Sequence, residues 1–287
     1  MSRAATLSGL RQILNEYGIY PSKRWGQNFL IDKNILNKIA DSAELSPETY
    51  VVEIGPGMGA LTAELAKRCR GVLAIDIDKR LEEILHEELG EFDNIRFLFQ
   101  DILEVNIEKE LMAAFNLSQV PPYQICANIP YNITTPIIFH LLENCPGMSA
   151  ATLMMQKEVA DRILASPGGK DYGLLTLMTS YYAETSLVIK VSHNCFYPRP
   201  KVDSSVIKIV PLKEKRVKVK NEVIFKGLLR AAFQKRRKTI LNIGTSFFDQ
   251  DKSLVQSKLE SLAIPPANRP ETLTIEEFAL LADAFSL

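Results

Sequence analysis

Two stretches carry residue types able to do chemistry, Asn128-Ile-Pro-Tyr131 and Val51-Val-Glu-Ile-Gly-Pro-Gly-Met-Gly59. In the first, the Asn128 side-chain carbonyl stands next to the Ile129 backbone carbonyl. Two such acceptors can hold both hydrogens of an exocyclic amine. They draw its nitrogen, otherwise delocalised into a ring, toward sp³ geometry. Pro130 fixes the backbone direction and has no competing N–H. Tyr131 offers a face for a flat base to stack on. No charged general base is needed when the leaving group is a sulfonium, so such a site works mainly by positioning. A polar turn after a buried strand accounts equally well for the four residues taken alone.

In the second stretch, Val51, Val52 and Ile54 read as a short buried strand. Leu61 and Leu65, with Ala60, Ala63 and Ala66, read as a helix. Between them Gly55, Gly57 and Gly59 let the backbone take positive φ and let a ligand approach. The helix start exposes amides toward it. A dinucleotide fingerprint would place its third glycine where Ala60 stands, and Glu53 is a poor neighbour for phosphates. A ligand with a ribose, a positive charge and no phosphate fits better, and S-adenosylmethionine is such a ligand. Asp76 closes a second strand and suits the vicinal hydroxyls of a ribose. Asp101 closes a third strand and suits an adenine amino group, or simply makes a turn.

These residues need a scaffold that brings strand ends together. Strands expected at 51–54, 71–76, 94–101, 123–127 and 151–155 alternate with helices, which implies a mostly parallel sheet covered on both faces. Gly55, Asp76, Asp101 and Asn128 then share the rim formed by the carboxyl ends of the strands, where such sheets bind ligands. Strands at 185–191 and 204–210 complete the sheet as a hairpin across a long loop. An amphipathic helix is expected at 7–17, and Asp32 can cap the next one. Thr274 and Glu277 form a capping box for the last helix.

The 287 residues suffice for one large core and a smaller second domain. We place the boundary after residue 211, giving domains 1–211 and 212–287. Lys and Arg balance Asp and Glu at 34 each, but unevenly: residues 44–110 hold 16 acids and 7 bases, residues 211–238 hold 11 bases and 2 acids. The run Lys235, Arg236, Arg237 and Lys238 suits a polyanion, although a solvated helical face would look the same. Four scattered cysteines and three histidines show no metal-ligand spacing and no disulfide framework, so a reducing cytoplasmic setting is expected. No apolar run approaches membrane-spanning length.

Taken in order, Gly26-Gln-Asn-Phe-Leu30, Glu53-Ile-Gly-Pro-Gly57, Asn128-Ile-Pro-Tyr131, Phe196-x-Pro-x-Pro-x-Val202 with Asp203-Ser204, and Gln234-x-Arg-Arg-Lys-Thr239 resemble the ribosomal RNA small-subunit adenine N6,N6-dimethyltransferase (KsgA/RsmA) family. The resemblance spans nearly the whole chain. It implies an α/β, Rossmann-like S-adenosylmethionine-dependent methyltransferase fold with a seven-stranded, mostly parallel sheet and a small all-helical C-terminal domain that docks rRNA. It implies cofactor contacts at Asn28, Leu30, Gly55, Gly57, Asp76, Asp101 and Asn128. The target adenine would sit at the Asn128–Tyr131 corner, between Tyr131 and Phe196; by itself, an aromatic in a loop such as Phe196 is more often core. Lys235 to Lys238 would meet RNA. The implied activity is methylation at N6 of two adjacent adenines near the 3′ end of small-subunit rRNA, within an assembling 30S particle, by a metal-free monomer in the cytoplasm. A large-subunit rRNA methylase of the macrolide-resistance type shares the chemistry. A non-catalytic ribosome-assembly or transcription factor derived from such an enzyme is the alternative of a different class.

Overall fold

The computed structural model describes residues 2–22, 25–235 and 237–286. Nine strands occur among them: β1 (Phe29–Leu30), β2 (Tyr50–Ile54), β3 (Gly71–Asp76), β4 (Ile95–Phe99), β5 (Tyr123–Asn128), β6 (Met148–Gln156), β7 (Ala183–Val191), β8 (Phe196–Tyr197) and β9 (Ser204–Pro211). Seven form one sheet in the order β4-β3-β2-β5-β6-β9-β7. From β4 to β6 every pairing is parallel, and β9 runs antiparallel to β6. Val51, Val52, Val72, Leu73, Ile125 and Cys126 are all at most 2% exposed, so these strands are buried on both faces. That explains why they read as continuous apolar runs rather than alternating ones.

The strand order reverses direction at β2, which has β3 on one side and β5 on the other. Such a switch point leaves a crevice at the carboxyl ends of the two central strands. Register makes it specific: Ile54 pairs with Ala127, so the glycine loop and Asn128 leave the sheet side by side. Asp76 ends β3 level with Phe99 of β4.

A second, two-stranded sheet pairs β1 with β8 antiparallel, Phe29 opposite Tyr197 and Leu30 opposite Phe196. The Ile31 amide extends it by donating to the Cys195 carbonyl at 2.8 Å. Asp32 follows, its Oδ1 accepting from the Asn34 and Ile35 amides to cap the helix Lys33–Ser42. The Thr274–Glu277 capping box forms as expected at the helix Ile275–Ala284. The helix Ile240–Phe248, capped by Thr239, was not anticipated next to the cationic run.

Compactness divides the chain differently from chain order. One unit comprises Met1–Ala160 and Thr185–Pro211, the other Asp161–Glu184 and Leu212–Leu287. The segment 161–184 falls with the C-terminal helices because its aromatics pack there. The Tyr181 ring lies 5.1 Å from Phe225, and the Tyr172 hydroxyl donates to the Leu273 carbonyl at 2.9 Å. Among the described residues no helix is long and apolar enough to cross a membrane.

Candidate active site

The glycine loop takes the backbone conformation that its composition allows. Gly55, Gly57 and Gly59 have φ of 72°, 56° and 78°. At Gly57 a side chain would also collide, since a Cβ there would stand 3.0 Å from the Phe29 ring. A Cβ on Gly55 would lie 3.7 Å from the Asn128 carbonyl and 3.8 Å from Pro130. The glycine loop and the Asn-Ile-Pro-Tyr corner are therefore in near contact.

Around them opens a cavity of about 280 Å³. Asn28, Leu30, Gly55, Gly57, Asp76, Asp101, Asn128, Ile129, Pro130 and Tyr131 all line it. Phe196 does not: it is 3% exposed and packed in the core cluster through the β1–β8 ribbon. Lys235, Arg237 and Lys238 lie in the other unit and are exposed, and Arg236 falls outside the described residues.

At the corner the Asn128 Nδ2 donates to the Asn28 carbonyl at 3.0 Å, which fixes the orientation of the amide. Its Oδ1 is the group left to accept. The Ile129 amide donates to the Met154 carbonyl of β6, while no described residue donates to the Ile129 carbonyl. Two acceptor carbonyls of adjacent residues are thus available next to the cavity. The Tyr131 hydroxyl shares a 2.7 Å hydrogen bond with Ser204 Oγ, which holds the ring. The Pro130 carbonyl accepts from Thr134 Oγ1 and from the Ile133 amide, closing the turn into the helix Thr134–Asn144.

Asp76, at the end of β3, and Asp101, just beyond the end of β4, line the cavity. Asp101 Oδ1 accepts from the Leu103 amide, so its other oxygen is the one left for a ligand. Asp76 Oδ1 accepts from the Asp78 amide at 2.9 Å. Burial pushes the Asp76 carboxyl up to about 6, against the opposing pull of that amide. A carboxylate on the cavity wall at the end of β3 can accept from vicinal hydroxyls. S-adenosylmethionine therefore suits the residues present. Its affinity should hold above pH 7 and fall as pH drops below about 6, because the neutral acid cannot accept from both hydroxyls. The loss approaches about tenfold per pH unit at the acid end. Calorimetric titration between pH 5 and 8 checks this, and a flat profile counts against Asp76 as the ribose ligand.

Sequence reasoning did not single out several lining residues. Met58, Ile77 and Ile102 give the cavity apolar walls, and Gln27 spans its edge by donating from Nε2 to Asp78 Oδ2 at 2.9 Å. The signal for Ile77 and Ile102 was available: each is the apolar residue directly after a strand-terminal acid. Glu53 also lines the cavity, yet it is 1% exposed, and its Oε2 has no hydrogen-bond partner among the described residues. Burial pushes its carboxyl up to about 8, so Glu53 is largely neutral at pH 7. Unfolded, it ionises near 4.5; between these values the unfolded chain holds fewer protons and stability falls as pH rises. Glu53→Gln should therefore gain on the wild type by of order 2 kcal/mol at pH 8 and by nothing below pH 4.5. Melting temperatures at the two pH values test it. Among the described residues no group of three or more His, Cys, Asp or Glu could hold a metal ion.

Comparison with known proteins agrees with this geometry. The family model for ribosomal RNA adenine dimethylase matches residues 21–285. The chain is 45% identical over 283 residues to ribosomal RNA small subunit methyltransferase A of Geobacillus sp. (strain WCH70), covering 98% of this chain and 97% of that protein. It is 45% identical over 285 residues to the protein of the same name from Moorella thermoacetica, covering 98% of each. Among solved structures, a dimethyladenosine transferase from Plasmodium falciparum superposes with a TM-score of 0.72 at 29% identity, covering 88% of this chain and 95% of that one. The 23S rRNA methyltransferase ErmE superposes with a TM-score of 0.67 at 28% identity, covering 89% and 98%. A sheet reversing at β2, a glycine loop abutting an Asn-Ile-Pro-Tyr corner and a match from residue 21 to 285 have one common explanation: the chain belongs to the ribosomal RNA adenine dimethylase family.

Proposed function

We propose that the protein transfers methyl groups from S-adenosylmethionine to the N6 atoms of two adjacent adenines near the 3′ end of small-subunit rRNA, two per base. The observation that carries this reading is the pinned Asn128 amide: its nitrogen is committed to Asn28, so its carbonyl and that of Ile129 are free to accept both N6 hydrogens. When bound, S-adenosylmethionine supplies a methyl group activated by a positively charged sulfur. Asp76 accepts from the ribose, and Asp101 accepts from the nucleoside's own amino group. Asn128 and Ile129 hold the target amine with its lone pair turned toward the cavity, which is positioning rather than acid–base catalysis. The amine proton leaves to water after transfer. Turning the base out of its stack costs a few kcal/mol, of which stacking on Tyr131 returns about 1–3 kcal/mol.

The small-subunit assignment draws support from relatives at 45% identity that carry that name, against 28% for the 23S enzyme. The substrate we favour is the rRNA of an assembling 30S particle in the cytoplasm, met by a monomer, with Lys235, Arg236, Arg237 and Lys238 contacting its phosphates. Incubating the purified protein with labelled S-adenosylmethionine and unmethylated small subunits should yield labelled N6,N6-dimethyladenosine. No label there, with label in free large-subunit RNA, would transfer the assignment to the ErmE type. Absence of label in both would leave only a binding role.

A further inference from the structure

We propose that Gln27 is a positioning residue for methyl transfer: it ties the segment carrying Asn28, and through it the Asn128 amide, to the strand end that bears Asp76. This rests on the reading that Asn128 holds the target amine, and it names what holds Asn128. Gln27 lines the cavity, and both ends of its side-chain amide are engaged. Oε1 accepts from the Ser22 amide at 2.8 Å, and Nε2 donates to Asp78 Oδ2 at 2.9 Å. The Gln27 backbone amide also donates to the Ser22 carbonyl at 3.2 Å. With one end accepting and the other donating, the side-chain amide has one orientation that satisfies both partners.

Asp78 is a firm anchor for this bond. It is 4% exposed, and its carboxylate accepts from Arg80 Nε at 2.8 Å and Nη2 at 2.6 Å. Arg80, with Gln27, holds the Asp78 carboxyl below the usual carboxylate range. A charged acceptor makes the bond from Gln27 stronger than one between neutral groups. The Asp78 amide in turn donates to Asp76 Oδ1 at 2.9 Å. On the other side of Gln27, the Asn28 carbonyl accepts from Asn128 Nδ2 at 3.0 Å, and Asn28 Nδ2 donates to the Gly26 carbonyl at 3.0 Å. One chain of contacts therefore runs from Asp76 through Asp78, Gln27 and Asn28 to Asn128. The segment needs such a tie. Gly26 stands at φ 61°, and β1, which follows Asn28, is only two residues long. Little backbone ladder is there to fix the Asn28 carbonyl, and a shift of that carbonyl turns the Asn128 acceptor away from the target amine.

The test is single-turnover methylation of unmethylated small subunits at saturating S-adenosylmethionine. It compares the wild type, Gln27→Ala, Gln27→Glu, Asn128→Ala and the double variant Gln27→Ala/Asn128→Ala. Gln27→Ala should lower the rate by about 10- to 100-fold, the scale of a displacement of order 1 Å at a reacting centre. In the Asn128→Ala background the same change should cost less than about threefold, because the group it positions is gone. Gln27→Glu sets a second carboxyl against Asp78, and two carboxyls in contact resist ionising together. Its rate, taken relative to the wild type at each pH, should be highest at pH 6 and fall by pH 8. An equal loss in both backgrounds means general loosening of the fold and overturns the proposal. So does a Gln27→Ala rate close to that of the wild type. If Gln27→Ala proves too unstable to assay, the Gln27→Glu profile decides, and one parallel to the wild type overturns the proposal. If Asn128→Ala itself keeps the wild-type rate, the reading of Asn128 fails first and takes this proposal with it.

Discussion

Asn128→Ala lowers the rate of methyl transfer by about 10²–10³-fold at saturating cofactor and RNA, the range found when one preorganised hydrogen-bonding group is removed from a reacting centre. The target nitrogen is a poor nucleophile because its lone pair is shared with the ring. Only a geometry that holds both hydrogens out of the ring plane frees that pair, and the Ile129 carbonyl alone leaves one hydrogen unheld. Truncation also deletes the 3.0 Å bond from Nδ2 to the Asn28 carbonyl, so KM for S-adenosylmethionine should rise several-fold as Asn28 loosens. Affinity for RNA should stay within about twofold, because a contact made only in the transition state does not hold the ground state. Single-turnover measurements separate these effects. A rate loss of less than tenfold would remove Asn128 from the chemistry.

Asp76→Ala weakens S-adenosylmethionine binding by about 100-fold. Two hydroxyl groups donating to one carboxylate make hydrogen bonds to a charged acceptor, at about 1.5–3 kcal/mol each, of which desolvating the acid takes back a part. The pH dependence predicted near 6 should vanish in the same variant. Truncation also strips the Asp78 amide of its 2.9 Å acceptor, so the melting temperature is measured alongside to separate loss of fold from loss of binding. Calorimetry at pH 7.5 reads the affinity. A change of less than about fivefold would assign the ribose to another residue.

The central sheet was legible because parallel strands buried on both faces leave apolar runs such as Val51 to Ile54 and Gly71 to Ile75. The polar residue ending each run then marks the rim, so Asp76, Asp101 and Asn128 could be placed on one edge before any coordinates. The β1–β8 ribbon was not legible. A two-residue strand has no period to detect, and its partner lies far along the chain. Phe196 shows the cost. Taken alone Phe196 reads as a core aromatic, and only the resemblance sets it against the target base; pairing with Leu30 buries it in the core cluster. The helix Ile240–Phe248 was obscured by the cations before it, although Ile240, Ile243 and Phe247 already stand at helical spacing. Residues 161–184 follow the sheet strands in sequence, and only the packing of Tyr172 and Tyr181 shows that they belong with the C-terminal helices.

The ribbon also bears on when the protein becomes competent during synthesis. Every residue lining the cavity lies between Ala4 and Ile133, in the first half of the chain. Yet Asp32 and Cys195, whose side chains meet at the end of the ribbon, are separated by 163 positions, and β9 must slot in between β6 and β7. A nascent chain emerges N-terminus first, and contacts of such separation form late. The segment 28–32 has no strand to pair with until residue 197 has left the ribosome. The methyl-donor crevice is therefore finished only after residue 197 has emerged, so a translation product stalled before that point carries the Asn128–Tyr131 corner without the ribbon that completes its surroundings.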